Sequence, residues 1–239
     1  MIEARGVATV VIGLVRPHME KSKPPRGLWV PFPLGRPLGE PDDKIFQHRV
    51  LGAALALLER DAGPVILEDF PDDAPSMRDQ PEWQPQVVVP EFLTPTAADT
   101  IAWTSGLATE LASVLPHWGA ATHRFGRTTV GLSRVDPKDW APFVVRFLDG
   151  SIPPSPIDGL SPALVMRYIA DDMKALYMEA VQAIGPQPSS AQVNQSFWNE
   201  TLAAELLRAL RSGALASEHA GFKTVGSRFL VPAPFVVRL

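Results

Sequence analysis

One stretch of the chain concentrates most of its reactive chemistry: Arg16-Pro17-His18-Met19-Glu20-Lys21-Ser22-Lys23-Pro24-Pro25-Arg26. Arginine binds a carboxylate through two parallel N–H donors, and a glutamate can give or take a proton at a reacting centre. Arg16, Lys21 and Arg26 therefore suit the carboxylate of a small substrate, His18 adds a polar contact, and Glu20 suits proton transfer. The stretch directly follows the apolar run Val7 to Val15, so it reads as a charged loop leaving the end of a strand. Open α/β sheets bind ligands in the crevice beyond the carboxyl ends of their strands. The plain alternative is a solvated loop whose charges pair locally.

Two further groups fit the same edge. Glu68 and Asp69 follow the apolar run Pro64 to Leu67, and adjacent carboxylates can hold a cation or raise one another's pKa. With Glu20 they form the candidate catalytic set; alternatively, one of them caps or pairs with a neighbouring base. Pro31 to Pro41, with Gly35 and Gly39, makes a stiff loop whose amides and Arg36 can cradle an anion, or that merely shapes the sheet edge. The common signatures for dinucleotides, nucleoside triphosphates, ester hydrolysis and zinc proteolysis are missing, so no cofactor is called for. His117 and His123 have no acid at ligand spacing, and no metal centre is expected from them. Asp171-Asp172 and Trp198-Asn199-Glu200-Thr201 read as packing and solubility features.

The elements that must position these residues follow from periodicity. Val7 to Val15 predicts a strand buried on both faces, Leu28 to Phe32 a second, and Pro64 to Leu67 a third. Between the last two, Asp42 or Asp43 caps a helix carrying Ile45, Val50, Leu51, Ala54, Leu55 and Leu58, ending near Ala62-Gly63-Pro64. Strand, helix, strand in this order is a parallel-sheet unit. Phe70 to Pro95 is dense in Pro, Asp, Gln and Trp, with Gln86 to Val89 suggesting extended structure. Helices are then predicted at about Thr96–Leu115, Asp136–Leu148, Ser161–Ala183 and Ser190–Ser212, two of them opening on a cap followed by proline. Gly126 to Leu132 reads as a strand or a turn into one, and Phe229 to Leu239 as extended.

The expected fold is α/β: a parallel Rossmann-like or flavodoxin-like sheet layer over residues 1–95, with a mainly helical part over 96–239 packed on it. At 239 residues, 46% hydrophobic and 20% charged, the chain can bury a core unaided. A formal charge of -4 gives no footprint for nucleic acid or an anionic membrane. The opening residues, Met1 to Gly6, fit neither a signal peptide nor a spanning helix, so a cytoplasmic location is expected. The absence of cysteine excludes a disulfide framework, a thiolate metal site and a cysteine nucleophile from this chain.

The stretch Gly6 to Leu58, with Thr9-Val10-Val11-Ile12 and Val30-Pro31-Phe32-Pro33-Leu34-Gly35-Arg36-Pro37 before the helix, resembles component B of the glycine, sarcosine, betaine and D-proline reductases. Gly126 to Gly131 is similar to an uncharacterised branch of that group. The resemblance implies reductive cleavage of a carbon–nitrogen bond in a small amine or amino acid, through a selenocysteine or cysteine upstream of the strand that begins near Val7. No other side chain replaces that nucleophile. The expectation is a subunit or repurposed relative of a reductase-like complex, homo- or hetero-oligomeric. The alternatives are a non-catalytic interaction or scaffolding partner that completes an α/β domain with another chain, and a metal-assisted enzyme using Glu20, Glu68, Asp69 and His18.

Overall fold

The structure, a computed structural model, describes every residue except 1, 33–34, 41, 61–64, 75–78, 86–94, 97, 184, 186–187 and 238–239. The extended segment expected at Gln86–Val89, and the helix end expected at Ala62-Gly63-Pro64, lie outside the described residues. The chain divides into two compact units, residues 1–81 with 188–191, and 82–187 with 192–239. No helix among the described residues is long and apolar enough to cross a membrane.

The first unit holds a three-stranded, wholly parallel sheet in the order β1 (Val11–Gly13), β2 (Arg26–Trp29), β3 (Ile66–Asp69). Helix α1 (Arg16–Ser22) joins the first two strands and α2 (Lys44–Ala56) the last two. The charged stretch expected as a loop is thus largely helical. Pro17 in its first turn has the backbone angle a helix start needs, and Lys23 closes it in the left-handed conformation. Asp43 caps α2, accepting from Phe46 N at 3.0 Å.

Strand side chains alternate between faces, so register assigns each helix its side. Ile12, Leu28 and Ile66 share the α2 face with Val30, Phe46, Val50, Ala54 and Phe70. Phe32, Phe46 and Phe70 meet there with ring centroids 5.4 to 5.9 Å apart. On the opposite face, Gly13 and Gly27 leave room for Met19 of α1: a Cβ at Gly13 would lie 2.1 Å from Met19 Sδ, and one at Gly27 2.7 Å from Met19 Cε. The two helices therefore pack on opposite faces of the sheet.

β1 is shorter than Val7–Val15 and is an edge strand covered only in part, with Val11 exposed, because α1 has too few residues to roof it. β2 starts earlier than Leu28. β3 runs on through Glu68 and Asp69, because both pair with β2, opposite Leu28 and Trp29.

The second unit is helical: α3 (Thr100–Phe125), α4 (Pro137–Val144), α5 (Pro162–Ala180), α6 (Ser190–Glu200), α7 (Leu202–Ala216) and α8 (Ala220–Arg228), α6 opening in the short segment assigned to the first unit. Its core includes the buried Trp103, Trp140 and Trp198. The expected caps Asp136 and Ser161 hold their helices, accepting from Lys138 N and Leu164 N at 3.0 and 3.3 Å. α3 continues past Pro116 instead of stopping at Leu115: Ala121 is buried, and Arg124 donates to the carbonyls of Gln182 and Ala183 at 3.3 and 3.1 Å, fastening the last turns. The single helix expected over Ser190–Ser212 is broken at Thr201, whose extended backbone ends α6 while its hydroxyl caps α7 through Ala204 N at 3.1 Å. Residues 229–237 carry a short 3-10 turn at Ala233–Phe235 in place of extended chain.

Candidate functional site

The carboxyl ends of β1 and β3 bring three of the expected residues together. Arg16 opens α1 just beyond β1, and Asp69 ends β3. Arg16 Nε donates to Asp69 Oδ1 and Oδ2 at 3.1 and 3.2 Å, while its Nη1 pairs with Glu20 one turn along α1. All three side chains are 41 to 50% exposed, so the cluster faces water rather than a dry pocket. It owes its position to Met19 between Gly13 and Gly27, which presses the helix onto the strand that precedes it.

Guanidinium has five N–H donors. Here two carboxylates occupy Nε and one Nη1 position, and Nη2 makes no hydrogen bond to a described residue. The held guanidinium can present that nitrogen to an incoming carboxylate, while the carboxylate oxygens of Glu20 and Asp69 beside it can receive an ammonium group. One cation between two anions leaves a net negative cluster, which favours a ligand carrying its own positive group.

The remaining candidates lie elsewhere. Arg26, at the start of β2 and so at the opposite end of the sheet from Asp69, pairs with Glu3 at 2.9 Å. Glu3 also accepts from Thr9 N and Oγ1, and the Thr9 amide bond, with Arg26 and despite some burial, holds its carboxyl below the usual range. Arg36 pairs with Glu40 at 2.6 Å inside its own loop. Glu68 pairs with Arg60 and, by strand alternation, points to the α2 face while Asp69 points to the α1 face. Glu68 and Asp69 thus do not act as an adjacent pair. His18 and Lys21 are exposed on the part of α1 turned away from Met19. Among the described residues no group of three or more histidine, aspartate or glutamate side chains is placed to hold a metal ion, so the metal-assisted alternative finds no ligand set there.

The helical unit holds carboxylates with satisfied partners; Asp172 was expected only as a packing or solubility feature, and Glu110 and Glu179 were not singled out. Glu110, 2% exposed, accepts from Tyr177 Oη at 2.5 Å, Leu202 N at 2.6 Å and Ala203 N at 3.0 Å. Burial pushes its carboxyl up, against these three bonds, and burial beside Glu110 pushes the Tyr177 hydroxyl well above its ordinary range. Asp172 accepts from the amides of Gly131, Leu132 and Ser133 and from Ser133 Oγ at 2.6 to 3.0 Å. Seven residues along α5, Glu179 accepts from Thr128 Oγ1, Thr129 N and Oγ1, and Trp118 Nε1 at 2.7 to 2.9 Å. Gly126–Leu132 is therefore neither strand nor turn into one but a segment laid along α5. The only signal for this in the sequence was the seven-residue spacing of Asp172 and Glu179. A groove of about 500 Å³ between α3 and α4 is lined by Ile101, Thr104, Ser105, Val145 and Arg146 among others. The hydroxyls of Thr104 and Ser105 are spent on carbonyls of α3.

No protein-family model matches the chain, nor does any curated protein or solved structure.

Proposed function

We propose that the first unit is a minimal doubly wound α/β layer that binds a small amino acid at the carboxyl ends of its strands, as the substrate-holding subunit of a reductase-like complex. The observation that carries this is Arg16 held between Glu20 and Asp69. A guanidinium oriented by two carboxylates matches both ends of an amino acid: Nη2 takes the carboxylate, and Glu20 and Asp69 take the ammonium. Helices on opposite faces of a parallel sheet support the doubly wound description, and ligand binding at that edge is its usual habit.

In this reading Arg16 binds, Asp69 orients Arg16, and Glu20 passes a proton to the departing amine. Because residues 1–239 contain no cysteine, the reducing group comes from outside them, as a thiol pair or a thiol and a selenol. The reaction balances as substrate ammonium plus two thiols going to a C–H bond, free ammonium and a disulfide: carbon gains two electrons and a proton, and sulfur is oxidised.

Calorimetric titration of the full chain with glycine, N-methylglycine and proline tests the binding half. Saturable binding is expected, weakened about tenfold or more by Arg16→Lys, which cannot hold two carboxylates and present a planar donor pair at once. Absence of binding by all three ligands, or an Arg16→Lys chain that binds like the wild type, overturns the proposal.

A further inference from the structure

Residues 126–135 leave the end of α3, run along α5 and turn into α4. Two carboxylates of α5 hold this segment. Glu179 takes Thr128 and Thr129, and Asp172 takes the successive amides of Gly131, Leu132 and Ser133. At 1.5 Å of rise per residue, these two anchors stand roughly 10 Å apart on the helix. An exposed segment fixed in this way has already lost much of the freedom that a binding loop must give up.

What the segment turns to solvent is basic and apolar. Arg127 and Arg134 flank it, both exposed, and neither guanidinium makes a hydrogen bond or ion pair with a described residue. Leu132 lies between them in the chain, 50% exposed. Arg134 carries a further mark: its backbone sits in the left-handed region, at φ 58°, which costs an arginine free energy and a glycine almost none. The turn imposes that conformation, with Arg134 N donating to Gly131 O at 3.3 Å beside the amides fixed by Asp172. Strain of this kind persists only where surrounding contacts impose it, and it clusters at binding sites. The side chain that makes arginine the costlier residue here has no polar partner among the described residues.

We infer that Arg127, Leu132 and Arg134 form a docking surface for an acidic peptide segment of another protein. Two of its carboxylates take the two guanidinium groups, and an apolar residue between them packs on Leu132. Charge complementarity selects the acid. The spacing of the anchors suits an extended segment whose acidic residues stand three or four positions apart, at about 3.3 Å per residue. This docking does not depend on ligand binding at Arg16.

The probe is a fluorescein-labelled ten-residue peptide of glutamate with one central leucine, titrated with the full chain and read by fluorescence anisotropy. Saturable binding is expected, weakening as salt rises. Arg127→Ala and Arg134→Gly should each weaken it by about fivefold, the strong end for one exposed ion pair, and Leu132→Ser should weaken it too. Arg146→Ala, which removes an exposed arginine elsewhere in the helical unit, should leave it unchanged. Arg134→Gly should also raise the melting temperature, because it removes the strain along with the guanidinium; Arg134→Asn, which tolerates the left-handed region, is a second neutral variant and should bind as weakly. A chain that does not bind the peptide, an Arg134→Gly chain that binds like the wild type or melts below it, or an Arg146→Ala chain that loses as much affinity as Arg127→Ala would overturn the inference. So would a short oligothymidine that displaces the labelled peptide at lower concentration than the unlabelled peptide does.

Discussion

Replacing Glu110 by glutamine removes one charge and no volume, and the structure says what that costs. The two carboxylate oxygens serve three donors: Oε1 takes Tyr177 Oη and Ala203 N, and Oε2 takes Leu202 N. An amide has one oxygen. Whichever way it is turned, its NH₂ faces a backbone N–H at the start of α7, either Leu202 or Ala203. One buried unsatisfied amide costs about 1–3 kcal/mol, which for a unit of this size lowers Tm by roughly 2–10 °C. The cost depends on pH with a definite sign. Burial raises the carboxyl pKa in the folded chain, so this group's contribution to stability is fully present below the ordinary glutamate value and is lost as pH rises through the folded value. Glutamine does not titrate, so the gap between wild type and Glu110→Gln should be widest in acid and narrow toward neutrality. Urea denaturation followed by circular dichroism at several pH values measures it. Equal stability in acid, or a gap that widens as pH rises, refutes the reasoning.

Other outcomes follow from the same contacts. Gly13→Ala places a Cβ against Met19 Sδ and should cost ~1–3 kcal/mol by overpacking while weakening the proposed amino-acid binding as α1 lifts Arg16 from Asp69; Met19→Ala in the same chain should restore much of the stability, read by thermal melting and calorimetry. Burial pulls the Glu179 carboxyl upward, but its bonds to Thr128, Thr129 and Trp118 win and hold it below the usual range. Its contribution is therefore present above the ordinary glutamate value and lost as pH falls through the lowered one. Trp118 fluorescence, isolated as wild type minus Trp118→Phe, should shift across that acid window, and Glu179→Gln should abolish the shift.

How much of this was legible in the sequence depends on the range of the interaction. Local signals read well: Asp43, Asp136 and Ser161 cap where their side chains meet the first turn, and the strand–helix–strand order yields a parallel sheet. Signals that tertiary contacts override did not. Pro116 suggests a helix end, but Arg124 and buried Ala121 keep α3 going. Thr201 reads as mid-helix until Glu110 supplies acceptors for the amides beyond it. At the candidate site, Arg16, Glu20 and Asp69 were named and do meet. Arg26, Arg36 and Glu68 were named too, but each is paired locally, because a residue's partner depends on strand register and face. Charge composition carries neither.

The start of α7 also bears on the order in which the helical unit assembles. Its first four amides all have acceptors: Leu202 and Ala203 on Glu110, Ala204 on the Thr201 hydroxyl, and Glu205 on the Thr201 carbonyl. Half of that set is three and four residues away, and half is 92 and 93 residues away. The local half lets α7 nucleate by itself, whereas the distant half must wait until a long loop closes and α3 docks, a step slowed by chain entropy. The turn at Leu202–Ala203 should therefore be late to consolidate, with changes at Glu110 appearing mainly in the unfolding rate and changes at Thr201 reaching the folding rate as well.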